Sequence, residues 1–258
     1  MATQTELNYY RQLKHIVELV RNDVDTNIVP LLKQLAPQYV ADGWSDTVSN
    51  VIEQMIARWV GIFIRNQSQR IASQFVTSAA ADAARKSKSF AINLYGGDTQ
   101  LQEYLNAATF QNAKLIQSIP SQYLEQVQNI VMTNMRNGMR PSYIEEALVK
   151  QFGVTERRAK LIARDQHSKI QGDMNRIRQT NSGIEYFKWV TSQDERVRHS
   201  HVEVAKRDVG FGKGVFRWDD LPVVDGVPTF PGQPINCRCV AKPVTAAAVA
   251  RYKKSKGG

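Results

Sequence analysis

At Asn181-Ser182-Gly183 the repeat of the sequence changes, and this change limits the fold more than any other feature. Before it, apolar residues recur at three- and four-residue steps, the period of a helix with one buried face. After it they fall into short aromatic and β-branched runs divided by glycine and proline, the pattern of strands and turns. The expected class is α+β: a mostly helical N-terminal half, then a long helix leading into a small antiparallel β-rich C-terminal domain.

The helical part divides at its breakers. Residues 5–35 read as a helix through Leu13, Ile16, Val17, Val20 and Val24, with Pro30 expected to bend or end it. A polar stretch with Pro37 and Gly43 follows. From Ser45 to about Phe90 a stripe of Val48, Ile52, Met55, Ile56, Trp59, Ile62 and Phe63 runs on into alanine-rich sequence. An unbroken helix of that length would span roughly 70 Å. A break near Gln67–Gln69, a protruding helix, or two packed helices with a short turn are the alternatives. Tyr95-Gly96-Gly97-Asp98 reads as a turn. Helices are expected at 99–118, 121–136 and 142–152, the last opened by a Ser142-x-x-Glu145 capping box. Gly153 should end it, and Thr155 should cap a final helix running to about Thr180.

Beyond Gly183, Glu185–Thr191 reads as a strand. Val197–Ala205 fits a strand or a short helix. Phe216-Arg217-Trp218 and Val223-Val224 are short strand candidates, and Asp225-Gly226 is a hairpin turn. Pro228, Pro231 and Pro234 make an extended arm into Asn236-Cys237-Arg238-Cys239. The residues after Thr245 read as a disordered basic tail.

Charge is unevenly spread. Residues 1–150 hold 14 Lys/Arg against 13 Asp/Glu, whereas residues 151–258 hold 20 against 11. A basic second half suggests a polyanion, most plausibly nucleic acid. Arg157, Arg158, Lys160, Arg164, Lys169, Arg176 and Arg178 lie along the final helix, where spaced cations could meet successive phosphates. Pairing with Glu156, Asp165 and Asp173 would instead make this a salt-linked, solvated face. The longest strongly apolar run, Trp59–Ile64, has six residues. That is far short of the about 20 a membrane-spanning helix needs. No signal-peptide layout opens the chain.

Both cysteines, two of the four His and two of the four Trp lie between Tyr186 and Cys239. Cysteines one residue apart rarely form a disulfide with each other. Free thiols or metal ligands are the simpler reading. Cys237 and Cys239 are soft donors, and His199 and His201 borderline ones, so zinc is the candidate metal. Alternatively the Cys pair packs inside as small apolar thiols at a strand end, with Arg238 paired to an acid such as Asp194.

The ordered set of Tyr186-Phe187-Lys188-Trp189-Val190-Thr191-Ser192, Asp194-Glu195-Arg196-Val197-Arg198-His199-Ser200-His201 and Asn236-Cys237-Arg238-Cys239 resembles the phage Mu protein F-like family of head morphogenesis (minor head, or minor capsid) proteins. Arg157-Arg158-Ala159 and Ile162-Ala163-Arg164-Asp165 fit its lead-in helix, and the likeness spans roughly residues 140–245. It implies a helical docking region (1–135), a Mu F-like head morphogenesis domain (136–245) and a basic tail (246–258). Relatives carry Cys or His at the positions of His201, Cys237 and Cys239. They also place Cys where Arg198 stands and His where Pro234 stands, so a fourth metal ligand here would be His199, Asp194 or water.

By that resemblance the chain is expected to be a structural protein of a tailed-phage virion, in the head interior or at the portal vertex. It would join the prohead in the host cytoplasm, with the portal protein, the major capsid or scaffold protein and DNA as partners, and no membrane. The alternatives are a sequence-independent nucleic-acid-binding protein and a small toxin-like nuclease. In the nuclease, His199 or His201 would act as general base and Arg196, Arg198 or Arg238 would hold phosphate. No paired carboxylates, phosphate loop or nucleophile elbow is present, so a non-enzyme without catalytic residues is expected.

Overall fold

The computed structural model describes residues 2–35, 44–88 and 99–256, without the side chains of 62–63 and 86–88. The polar stretch at Pro37 and Gly43, the turn at Tyr95–Asp98, Phe90, and the side chains of Ile62 and Phe63 lie outside the described residues. The elements are α1 (Gln4–Leu35), α2 (Trp44–Val60), α3 (Ile62–Lys88), α4 (Thr99–Arg136), α5 (Pro141–Asn181), β1 (Tyr186–Val190), α6 (His199–Lys206), β2 (Val215–Arg217), β3 (Val223–Val224), β4 (Val227–Pro228), β5 (Val240–Val244) and α7 (Ala246–Lys256). The class is α+β, helices first and a small antiparallel sheet near the C-terminal end.

Two compact units divide the chain, and neither is contiguous. One comprises Met1–Phe75 with Thr109–Ala163, the other Val76–Ala108 with Arg164–Gly258. The expected boundary at residue 135 is therefore not where the packing divides. Both cuts around Val76–Ala108, and the one after Ala163, fall inside helices.

The first unit is all helical. Leu13, Ile16, Val17, Val20, Val24, Ile28 and Leu32 of α1 are buried at the spacing the sequence displays. Tyr9 stacks on Phe75 with ring centroids 3.8 Å apart, and its hydroxyl donates to Asn112 Oδ1 at 3.1 Å. Several expected breaks are absent. Pro30 sits on the exposed side of α1, which continues to bury Leu32 and Leu35. Pro120 lies within α4 between buried Ile116, Ile119, Tyr123 and Leu124. A proline inside a helix costs about 3 kcal/mol, less than burying several large side chains at about 1.5–3 kcal/mol each. Gly153 does not end a helix either. Thr155 is no cap; its hydroxyl donates back to the Gln151 carbonyl at 3.1 Å inside α5. That helix starts at Pro141, a residue suited to a first helical position, and Glu145 pairs with Lys33 at 3.2 Å. The break expected near Gln67–Gln69 falls at Gly61, whose amide donates to the Arg58 carbonyl at 3.3 Å in the tighter pattern of a helix end.

In the second unit, α5 ends where the pattern changes. Gly183 adopts φ +72°, Ile184 N–H donates to the Gln179 carbonyl at 2.9 Å and Gly183 N–H to that of Thr180 at 3.0 Å. This double bond satisfies carbonyls left free by the last turn. The chain then forms an antiparallel sheet in the order β2-β1-β5. Tyr186 faces Arg217 on one side and Val244 on the other. Phe187 and Trp189 alternate onto one face, joining Phe216, Trp218, Val204, Phe230, Cys237, Cys239 and Ala241 in a core. Asp225 (φ +52°) and Gly226 (φ +81°) turn the β3–β4 hairpin as Asp-Gly should. From α5, Asn175 and Gln179 both donate to the Ala241 carbonyl, at 2.6 and 3.0 Å.

Residues 246–256 correct the expectation of disorder. They form α7, with buried Val249 and with the Thr245 hydroxyl accepting the Ala248 amide at 3.3 Å. The Tyr252 hydroxyl donates to Asp208, and Lys253 lies 4.9 Å from the centre of the Phe211 ring. Alanine at 246–248 supplies helix propensity, and the Val249 and Tyr252 contacts hold the result.

Candidate functional site

The resolution of Val197–Ala205 as helix decides which histidine matters. His199 and His201 stand two residues apart, so they leave α6 on opposite sides. His201 shares a side with Val204 and is 2% exposed. The His199 side chain is 89% exposed and its nearest acid is Glu203, 3.8 Å away.

The extended arm brings the thiols to His201. Gly172 and Gly232 allow α5 and the arm to touch backbone to backbone. The Gln233 amide group donates to Asp173 at 2.5 Å, and the Asn236 backbone N–H to Asp165 at 3.0 Å. Asn236 then turns with φ +58°, and Cys237 and Cys239 enter the core just before β5. Their sulfurs lie 3.7 and 3.5 Å from His201 Nδ1, and the three donor atoms fall within 4.8 Å of one another. Trp189 meets the imidazole edge-on, ring centroids 5.5 Å apart. His201 Nε2 is buried without a hydrogen-bond partner.

Electrostatics separates the two thiols. The hydrogen bond from Cys239 draws Cys237 down to about 7, while the same bond and burial push Cys239 up. Burial, and then the charge of Arg198, lowers His201. Above the three donors a small pocket opens, lined also by Ser192, Arg196, Arg198, Asn236 and Arg238. Of the metal-ligand candidates, then, His201, Cys237 and Cys239 converge, whereas His199 and Asp194 do not. Asp194 is bound to Arg238 at 2.6 Å, and the Arg198 guanidinium donates to the Ile235 carbonyl at 2.6 Å. The two sequence readings are both present: the thiols are packed as core residues and also form a donor cluster.

The basic face of α5 is only partly available. Arg157 and Lys160 are exposed in the first unit, and Arg176 in the second, where its guanidinium lies 5.2 Å from the Phe230 ring centre. Arg158 is turned inward and donates to Ser118 at 2.8 Å. Arg164 is half-buried, and Lys169 pairs with Asp165 at 2.8 Å. Arg178 is buried with Nε and Nη1 unpartnered. A single stripe of seven phosphate-reaching cations is therefore not what α5 presents. Gly172, Gly232, Asp165 and Asp173 seat the arm, and no motif marks them as site residues. The Pro231-Gly232 pair was their only sequence signal.

The fold and the site together define a small β-domain fed by a long helix, with a cysteine–histidine cluster at the point where its terminal arm meets the sheet. Residues 125–242 match the family described as Phage Mu protein F like protein, and in this segment the chain is similar to that family. A Haemophilus influenzae protein described as uncharacterised is 32% identical over 256 residues, covering 95% of this chain and 54% of the relative. The chain thus spans about half the length of that relative. No solved structure matches. No helix among the described residues is long and apolar enough to cross a membrane.

Proposed function

We propose that this chain is a non-enzymatic minor head protein of a tailed phage, which joins the prohead at or near the portal vertex and lies close to packaged DNA. The observation that carries the reading is the family match over residues 125–242, which takes in the last third of α4, all of α5 and most of the β-domain. The helical first unit supplies the docking surface for the portal or another head protein. Among the exposed cations, Arg157, Lys160 and Arg176 on α5 and Arg251, Lys254 and Lys256 on α7 can meet DNA. They can neutralise phosphates without reading bases, so affinity should fall steeply with salt.

The test is quantitative mass spectrometry of procapsids and mature particles from lysates with and without the gene. A low, fixed ratio to the portal protein supports the reading. Absence from both particle types overturns it. Salt-sensitive DNA binding by free chain missing from particles would favour the nucleic-acid-binding alternative.

A further inference from the structure

We propose that His201, Cys237 and Cys239 bind one zinc ion, with the fourth coordination position open to the pocket beside Ser192 and Asn236. Zinc–sulfur bonds of about 2.3 Å and zinc–nitrogen bonds of about 2.0–2.1 Å, set at tetrahedral angles, put sulfur and nitrogen about 3.6 Å apart. The Nδ1–sulfur separations here are 3.7 and 3.5 Å. Two of the three donor separations are therefore those of a tetrahedral site, and the third lies within 4.8 Å.

The donor chemistry selects the metal. Two thiolates and an imidazole are soft and borderline ligands, which favour zinc over magnesium or calcium. Two thiolate charges balance the dication, so the buried cluster becomes neutral when filled. Asp194 is taken by Arg238 and His199 faces solvent, so neither completes the site. A water in the pocket is the simplest fourth ligand.

The consequence is mechanical. His201 stands on α6, and the cysteines lie 36 and 38 residues further on, at the root of β5. An ion on all three clamps the helix to the terminal arm and closes the intervening loop. Structural zinc of this kind contributes its binding energy to folding.

The experiment uses the full chain, purified under reducing conditions. Elemental analysis should find one zinc per chain. Replacing it with cobalt(II) should give thiolate-to-metal charge-transfer absorption and the intense visible bands of a tetrahedral ion. Stripping by a strong chelator should lower the unfolding midpoint by roughly 10 °C, the scale expected of a ligand held far above its dissociation constant. His201→Ala and Cys239→Ser should lose the metal, whereas His199→Ala and Asp194→Ala should keep it. Should the first pair fail to fold, wild-type chain still decides: zinc must protect both thiols from a thiol-specific reagent. Reduced wild-type chain that takes up neither zinc nor cobalt overturns the proposal. So does retention of stoichiometric metal by Cys237→Ser/Cys239→Ser, or its loss in His199→Ala.

Discussion

Gly172→Ala and Gly153→Ala are the same substitution in the same helix, and the structure assigns them opposite signs. A Cβ at Gly172 would stand 2.7 Å from the Pro231 carbonyl oxygen and 3.1 Å from Gly232 Cα. Both are backbone atoms of an arm anchored by the Gln233–Asp173 and Asn236–Asp165 bonds, so no flexible side chain can yield. Overpacking of this severity costs up to about 3 kcal/mol, against which alanine returns about 1 kcal/mol of helix propensity. If the arm lifts away instead, two hydrogen bonds of about 1 kcal/mol each are lost. The first route gives a net loss of about 2 kcal/mol and the second about 1 kcal/mol, or roughly 2–8 °C in the unfolding midpoint. At Gly153 the new methyl would meet only the Arg157 Nη1 at 3.6 Å, an ordinary contact with a mobile side chain. That variant should gain about 0.5–1 kcal/mol. Scanning calorimetry gives the midpoints. Hydrogen exchange, read peptide by peptide, then places the loss at the arm and the gain in the first unit. A Gly172→Ala chain as stable as the wild type, with unchanged exchange at residues 231–239, would refute the close backbone approach and the seating of the arm derived from it.

Burial raises the pKa of Asp173 despite hydrogen bonds from Tyr104 and Gln233 that oppose the shift. A carboxyl raised on folding favours the folded state below its unfolded pKa and loses that advantage as pH rises through the folded value. Wild-type stability should therefore gain on that of Asp173→Asn as the pH falls from neutral toward the usual carboxylate range. Urea midpoints across pH check this, and a slope of the other sign contradicts it. Arg178→Met removes a buried guanidinium with two unpartnered donors, so stability should be unchanged or up by about 1 kcal/mol in chemical denaturation. DNA affinity should not move in that variant, whereas Arg176→Ala should lower the salt slope by about 1. Val249→Asp should free α7, raising amide exchange at residues 246–256 and around the Gly210–Gly214 loop against which Tyr252 packs. Random-coil exchange of α7 in the unaltered chain would restore the reading of a disordered tail.

Where a local signal and tertiary burial agreed, the fold was legible. Gly183, the alternation of Phe187 and Trp189, and Asp225-Gly226 each specify one backbone conformation that nothing else overrides. Gly153, Pro30 and Pro120 are equally strong local signals, yet buried neighbours on both sides hold the helices through them. Gly61 became the break. The site was half legible. Composition brought Cys237, Cys239 and two histidines into view, but choosing between His199 and His201 needed the helical register of α6. Val204, three residues after His201, was the clue. The α5 cations could not be sorted from sequence, because whether an arginine points outward or inward depends on partners such as Ser118 that lie far along the chain.

The non-contiguous division of the chain sets an order of synthesis. Val76–Ala108 emerges long before Arg164, so the second unit waits for its other part while the first is still incomplete without Thr109–Ala163. The two units must therefore reach completion in sequence, the helical one first. A fragment cut to the matched segment, 125–242, would carry Asp173, His167 and Gln171 without Tyr104, Asp82 and the Ala79 carbonyl that they meet. The family match lies in one stretch of chain, but the stretch is not a unit that can be lifted out.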